Sequence, residues 1–129
     1  MTTENTPKVI TPAHLQKSIR YTDYVALTEQ LLAENKTTGT NHAEDLVEYT
    51  RMNLHRKRRG EKSAVLTNEM LQTLQKVNRK MVWVVLTEAW GGDAAQNLPG
   101  IMKMADASPL IDLKLLLREA LFLPYTREE

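Results

Sequence analysis

Val82 to Leu86 is an almost unbroken apolar stretch rich in valine, set off from the polar Asn78-Arg79-Lys80 before it. Continuous hydrophobicity over so few residues suits a strand buried on both faces better than a half-exposed one. A helix follows from about Asp93 to Asp106, with Ala94, Leu98, Ile101, Met102 and Ala105 inward. Ser108-Pro109 then turns the chain, and Ile111 to Leu117 supplies a second strand. A strand, a helix and a strand in that order make one βαβ unit, whose crossover is expected to be right-handed. Neither internal repeats nor low-complexity segments interrupt it.

The residues before this unit read as about three helices. Thr11-Pro12 is a helix start, with Thr as N-cap and Pro at the first helical position, where its missing N–H costs nothing. Leu15 and Ile19 share one face. Thr22-Asp23 restarts the helix, and Tyr24, Leu27 and Leu31 point to a common core. The stretch Asn35-Lys36-Thr37-Thr38-Gly39-Thr40 ends it. Asn41 with Glu44 resembles a capping box, and Ala43, Val47, Thr50 and Leu54 form a stripe that carries to about Arg58, where Gly60 supplies the stop. Thr67 caps the last of these helices, with Met70, Leu71, Leu74 and Val77 on its apolar face.

At 129 residues and 42% hydrophobic content the chain fits one domain with a modest core. A net charge of +1 gives no overall pull toward nucleic acid or membrane, so any such partner would need a local patch. The N-terminal residues have no basic n-region or apolar h-region, and no run approaches the roughly 18 apolar residues of a membrane span. A soluble cytoplasmic protein is the expectation. With no cysteine there is no disulfide, thiolate nucleophile or thiolate metal site.

The strand-to-helix junction carries the most specific signal. It reads Thr87-Glu88-Ala89-Trp90-Gly91-Gly92-Asp93-Ala94-Ala95-Gln96-Asn97-Leu98-Pro99. Pro99 falls inside the expected helix, where it removes a backbone hydrogen bond and kinks the axis. This pattern resembles the thioredoxin family, in which Trp-Cys-Gly-Pro-Cys stands at the junction and a kinking proline follows at this distance. More closely it resembles bacterial thioredoxin-like proteins with an N-terminal helical extension, whose site reads Trp-Cys-Gly-Asp-Ala-Ala. Lys36-Thr37-Thr38-Gly39 and Val47-Glu48-Tyr49-Thr50 also look like that group. The resemblance spans roughly residues 10 to 118 and implies a thioredoxin-like fold with thiol-disulfide oxidoreductase activity.

Two departures set this chain apart. Gly91 occupies the nucleophile position, which leaves nothing to attack a disulfide. The resemblance also implies a cis-proline loop, a hairpin and a closing helix after the second strand, whereas residues 118 to 129 do not match, and Pro124 is no substitute for the cis-proline. A truncated gene, a frameshifted end and an engineered fragment all fit that ending. Two parallel strands alone leave unpaired edges, so self-association through those edges or through the apolar Ala120 to Leu123 tail is expected, the alternative being a monomer with the tail folded back as a short strand.

Other constellations read more simply. Arg51, Arg56, Lys57, Arg58, Arg59 and Lys62 form the one basic cluster, which suits a solvated helix end better than a phosphate track because no aromatic residues interleave with it. Gly91-Gly92 resembles an anion-binding turn, but Asp93 places a carboxylate there and reads as the helix N-cap. Glu88 and Asp93 flank the junction as a strand-end acid and a cap rather than as an acid/base pair. His14, His42 and His55 lie far apart at surface or helix-end positions, without metal-ligand spacing. Trp83 belongs to the strand core, whereas Trp90 offers an apolar contact surface.

The expected architecture is α/β: an incomplete thioredoxin-like βαβ unit over residues 81–118, behind a disordered lead (1–10) and a helical extension (11–80), and before a divergent tail (119–129). The expected function is a redox-inactive binding role through the surface formed by Glu88, Trp90, Gly91, Gly92, Asp93, Gln96 and Pro99. Neither cofactor nor metal is expected; the expected partners are a protein and further copies of the chain, with no membrane, and with nucleic acid disfavoured. The alternatives are the oxidoreductase that the resemblance implies and a small nucleic-acid-binding helical protein.

Overall fold

A computed structural model describes residues 10–122. The polar lead before Ile10 and the tail beyond Phe122, which includes Leu123 and Pro124, lie outside the described residues. Five helices, α1 (Pro12–Lys17), α2 (Tyr21–Ala33), α3 (Glu44–Ser63), α4 (Asn68–Gln75) and α5 (Gly92–Asp106), accompany two strands, β1 (Met81–Thr87) and β2 (Ile111–Leu117). A 3-10 turn, Arg118–Phe122, follows β2. The order β1, α5, β2 is the expected unit, and the strands pair in parallel from Met81 opposite Ile111 to Thr87 opposite Leu117.

The caps show how local sequence sets the helices. Thr11 accepts from the His14 N–H while the His14 ring accepts from the Thr11 N–H, a capping box in which histidine takes the place of glutamate. His14 is therefore buried rather than at the surface. Thr67 caps α4 as expected, its hydroxyl accepting from the Met70 N–H. Asn35 ends α2 at φ 58°, a left-handed conformation that asparagine tolerates. By contrast α3 begins at an Ala43 N-cap with no side-chain bond, so the Asn41 and Glu44 box does not form. Asn41 accepts from the Ala43 N–H instead.

Gly60 does not stop α3, which continues to Ser63. A Cβ at Gly60 would stand 2.9 Å from Pro99 Cγ and 3.1 Å from Pro99 Cβ. The missing side chain is thus what lets α3 lie against the proline of α5. Glycine here serves close approach of two helices and not termination.

Two adjoining apolar clusters form the core. Tyr21, Tyr24, Leu98 and Leu115 make the first, joining α2, α5 and β2. Leu32, Val47 and Leu54 make the second between α2 and α3, and Val25 packs on both. The inward face of α2 is Tyr21, Tyr24, Thr28 and Leu32, so Leu27 and Leu31 are displaced from the core centre to half-buried positions. The sheet is less covered than its composition implies: Val82 and Leu86 are each 50% exposed. The valine-rich run reflects β-branched propensity along with burial of one face, not burial of both. Ile19 leaves the expected helical face and makes an antiparallel bridge to Leu115, with 2.8 Å hydrogen bonds in both directions. That bridge supplies ladder bonds to the outer edge of β2. The outer edge of β1 has no strand beside it among the described residues.

Candidate functional site

The junction begins where β1 ends. The Tyr24 hydroxyl lies 3.2 Å from the Thr87 hydroxyl, tying the strand end to α2. Glu88, next in sequence, is buried and accepts at both carboxyl oxygens: Oε2 from the Thr38 hydroxyl, and Oε1 from the Arg118 N–H at 2.9 Å. Thr38 in turn accepts from the Ala89 N–H at 2.9 Å. From the other side, Asn53 of α3 donates to the Ala89 carbonyl at 3.2 Å, and Arg56 Nη1 donates to Asn53 Oδ1 at 3.4 Å. Glu88 is therefore the pin that holds three separate segments around the turn. Both its oxygens are engaged in these bonds, and Asp93 is exposed on α5.

Gly91 closes the turn, donating its N–H to the Glu88 carbonyl at 3.0 Å. It is also the N-cap of α5, which corrects the assignment of that role to Asp93. Asp93 lies within the first turn, where its charge complements the helix dipole without capping. The backbone of Gly91 is extended, at φ −86° and ψ 124°, and a Cβ there would meet only the Glu88 carbonyl oxygen, at 3.4 Å. Nothing in the backbone therefore requires glycine. Any side chain added at residue 91 would stand at an uncapped helix start, with Arg56 Nη1 3.6 Å from the Cβ position of the neighbouring Gly92.

The seven residues of the expected surface do not share one face. Trp90 is half-buried beside a hollow of about 330 Å³ whose other walls include Thr38, Gly39, Leu46 and Arg118. Gly39 turns the loop there at φ 89°, in the left-handed region that favours glycine. Gln96 is exposed and lines a different depression, between α3 and α5, together with Arg56. Pro99 is almost wholly buried against Gly60 and takes no part in the surface. Glu88 is likewise mostly interior. Trp90, Gly91, Gly92, Asp93 and Gln96 remain accessible.

Beneath the junction sits Lys57, 1% exposed, with its ammonium 4.4 Å from the centre of the Tyr24 ring. Burial holds this lysine down to about 8, against a weaker opposing pull from Glu61. Burial also pushes Tyr24 up to about 12, and raises Tyr21 further with the help of its 2.6 Å hydrogen bond to Glu61. Lys57 was not separable in sequence from the surrounding cations. The signal for its burial is its spacing from Thr50, Asn53 and Leu54, which places it on the inward stripe of α3. Asn53 lies on the same inward stripe of α3, and Thr38 in the loop after α2; as polar residues, neither stands out in the sequence.

Among the described residues no group of three His, Cys, Asp or Glu side chains is placed to hold a metal ion. No helix among them is long and apolar enough to cross a membrane. The βαβ unit with its tryptophan, tight turn and proline-bearing helix defines a thioredoxin-like α/β domain. A thioredoxin family model matches residues 39–121, from the Gly39 turn through β2 into the 3-10 turn, and the chain belongs to that family. No curated protein matches the chain, and no solved structure does.

Proposed function

We propose that the chain is a redox-inactive thioredoxin-family protein that binds a protein partner through Trp90 and the hollow beside it. The observation that carries this reading is Gly91. Its position has ordinary space and ordinary dihedral angles for a side chain, yet it holds none, and the sequence contains no cysteine. Disulfide exchange begins with attack by a thiolate, so the step that defines exchange has no nucleophile in this chain. The turn around Gly91 is nonetheless fully braced by Glu88, Thr38 and Asn53, which supports a use for its shape.

With dithiothreitol as reductant, the purified chain should not accelerate insulin reduction above the uncatalysed rate. Turnover would overturn the reading. For the binding arm, Trp90→Ala should abolish capture of whatever partner the wild-type chain retains, with helix content unchanged by circular dichroism. A partner that both chains retain equally lies elsewhere. Self-association is a further part of the proposal, supported by the unpaired outer edge of β1 and the exposed Val82 and Leu86. Light scattering should show a dimer or larger species, and a stable monomer at micromolar concentration would refute it. Deleting residues 119–129 tells edge pairing, which survives, from pairing through the tail, which does not.

A further inference from the structure

The six cations clustered in the α3 sequence separate in three dimensions. Arg51 pairs with Glu48, Arg58 with Glu29, and Lys57 turns inward over Tyr24. The other three, Arg56, Arg59 and Lys62, are exposed and line an open groove of about 1170 Å³ between α3 and α5. None of the three has an acidic partner among the described residues, and no carboxyl group lines the groove. Its floor is low in side chains: Gly60 and Gly100 both line it, and a Cβ at Gly100 would meet nothing within 4 Å. Ile101 and Met104, both half-buried, give that floor an apolar character. The far end is fastened by Lys103, which donates to the Ala64 carbonyl beyond the end of α3.

We propose that this groove binds a short acidic peptide segment of a partner protein, with Arg56, Arg59 and Lys62 taking its carboxylates and the Ile101 and Met104 floor taking an apolar side chain between them. The charge is unopposed and of one sign, which selects an anionic ligand. The apolar floor then distinguishes a peptide from a phosphodiester chain. A nucleic-acid track would need cations continuing along the helix and faces for base stacking, but three of the six are engaged elsewhere and no aromatic residue lines the groove. This site goes beyond the Trp90 hollow, with which it shares no lining residue.

The test uses the full chain and a fluorescein-labelled octapeptide of alternating Leu and Glu, with the Leu and Gln peptide as its neutral match, by anisotropy at neutral pH and about 0.1 M salt. The Glu peptide should bind at least about tenfold more tightly than the Gln peptide. Arg59→Glu with Lys62→Glu should weaken it at least about tenfold, while Lys17→Glu on α1, which makes half that charge change outside the groove, should alter it by less than about twofold. Gly100→Leu fills the floor without changing charge and should also cost about tenfold or more, since a bulky side chain replaces the space a peptide side chain would occupy. Thermal melts confirm that each variant is folded. Equal binding of the two peptides, an equal loss in Lys17→Glu, or full binding by Gly100→Leu would each overturn the proposal. Tighter binding of an oligouridylate of similar length would assign the three cations to nucleic acid instead.

Discussion

Two glycines within helices should respond to the same substitution with opposite sign. Replacing glycine by alanine inside a helix gains about 0.5–1 kcal/mol from backbone entropy and helix propensity. At Gly100, where a Cβ meets nothing within 4 Å, that gain should appear in full. At Gly60 the new methyl lands 2.9 Å from Pro99 Cγ. The proline ring has no rotamer to swing aside, and it is held in a helix that is itself packed on the sheet, so α3 and α5 must separate. Overpacking of this kind costs about 1–3 kcal/mol, and the net effect of Gly60→Ala is a loss of about 1–2 kcal/mol. The two variants should therefore differ by about 2–3 kcal/mol in urea denaturation followed by circular dichroism. Pro99→Ala in the Gly60→Ala background should recover part of the loss, with a coupling of about 1 kcal/mol in the double-mutant cycle. A Gly60→Ala chain as stable as the wild type would show that α3 and α5 do not meet there, and the groove geometry would fall with it.

Lys57 makes stability depend on pH with an unusual sign. Below about pH 8 both the folded and unfolded chains hold its proton and the folded one bears the burial cost; between about 8 and the ordinary 10.5 only the unfolded chain is protonated, so stability rises with pH by about 3 kcal/mol. Above pH 10 the raised Tyr24, which ionises near 12 when folded, reverses the trend. Lys57→Met should flatten the rise and stabilise the chain at pH 7 by about 1–3 kcal/mol, the lost ring contact offsetting part of the gain; a Lys57→Met variant with an unchanged pH profile would show that the ammonium is not buried. Glu88→Ala, which leaves the Thr38 hydroxyl and the Arg118 N–H without an acceptor, should cost about 2–4 kcal/mol, and Glu88→Gln less; a neutral Glu88→Ala would mean that the pin holds nothing. Gly91→Cys should titrate about one unit or more below the free thiol value of about 8.5, because the side chain stands at an uncapped helix start near Arg56, and iodoacetamide kinetics against pH would read it. A thiol titrating like a free peptide would contradict the junction geometry.

The parts of this molecule legible in sequence are those fixed by local chemistry. Thr11-Pro12, Thr67 and the Ile111–Leu117 strand act through their own neighbours, and each stands where its pattern placed it. Several of the misreadings involve a residue whose role is set by something distant. Gly60 looks like a terminator because its partner, Pro99, is on another helix. Asp93 is a local exception, since α5 starts at Gly92 with Gly91 as its N-cap. Glu88 looks like a surface acid because its donors, Thr38 and the Arg118 N–H, come from segments far away in sequence. The basic cluster shows the same limit, since one run of cations becomes a buried lysine, two ion-paired arginines and a groove wall only once α3 is wound and packed. What the junction retains follows from that distinction. The residues that brace its shape are spread over α3, the Thr38 loop and the 3-10 turn and are bonded into the fold, whereas residue 91 takes part through its backbone alone. The bonds that close the turn at residue 91 are made by its backbone, so they do not depend on which side chain stands there.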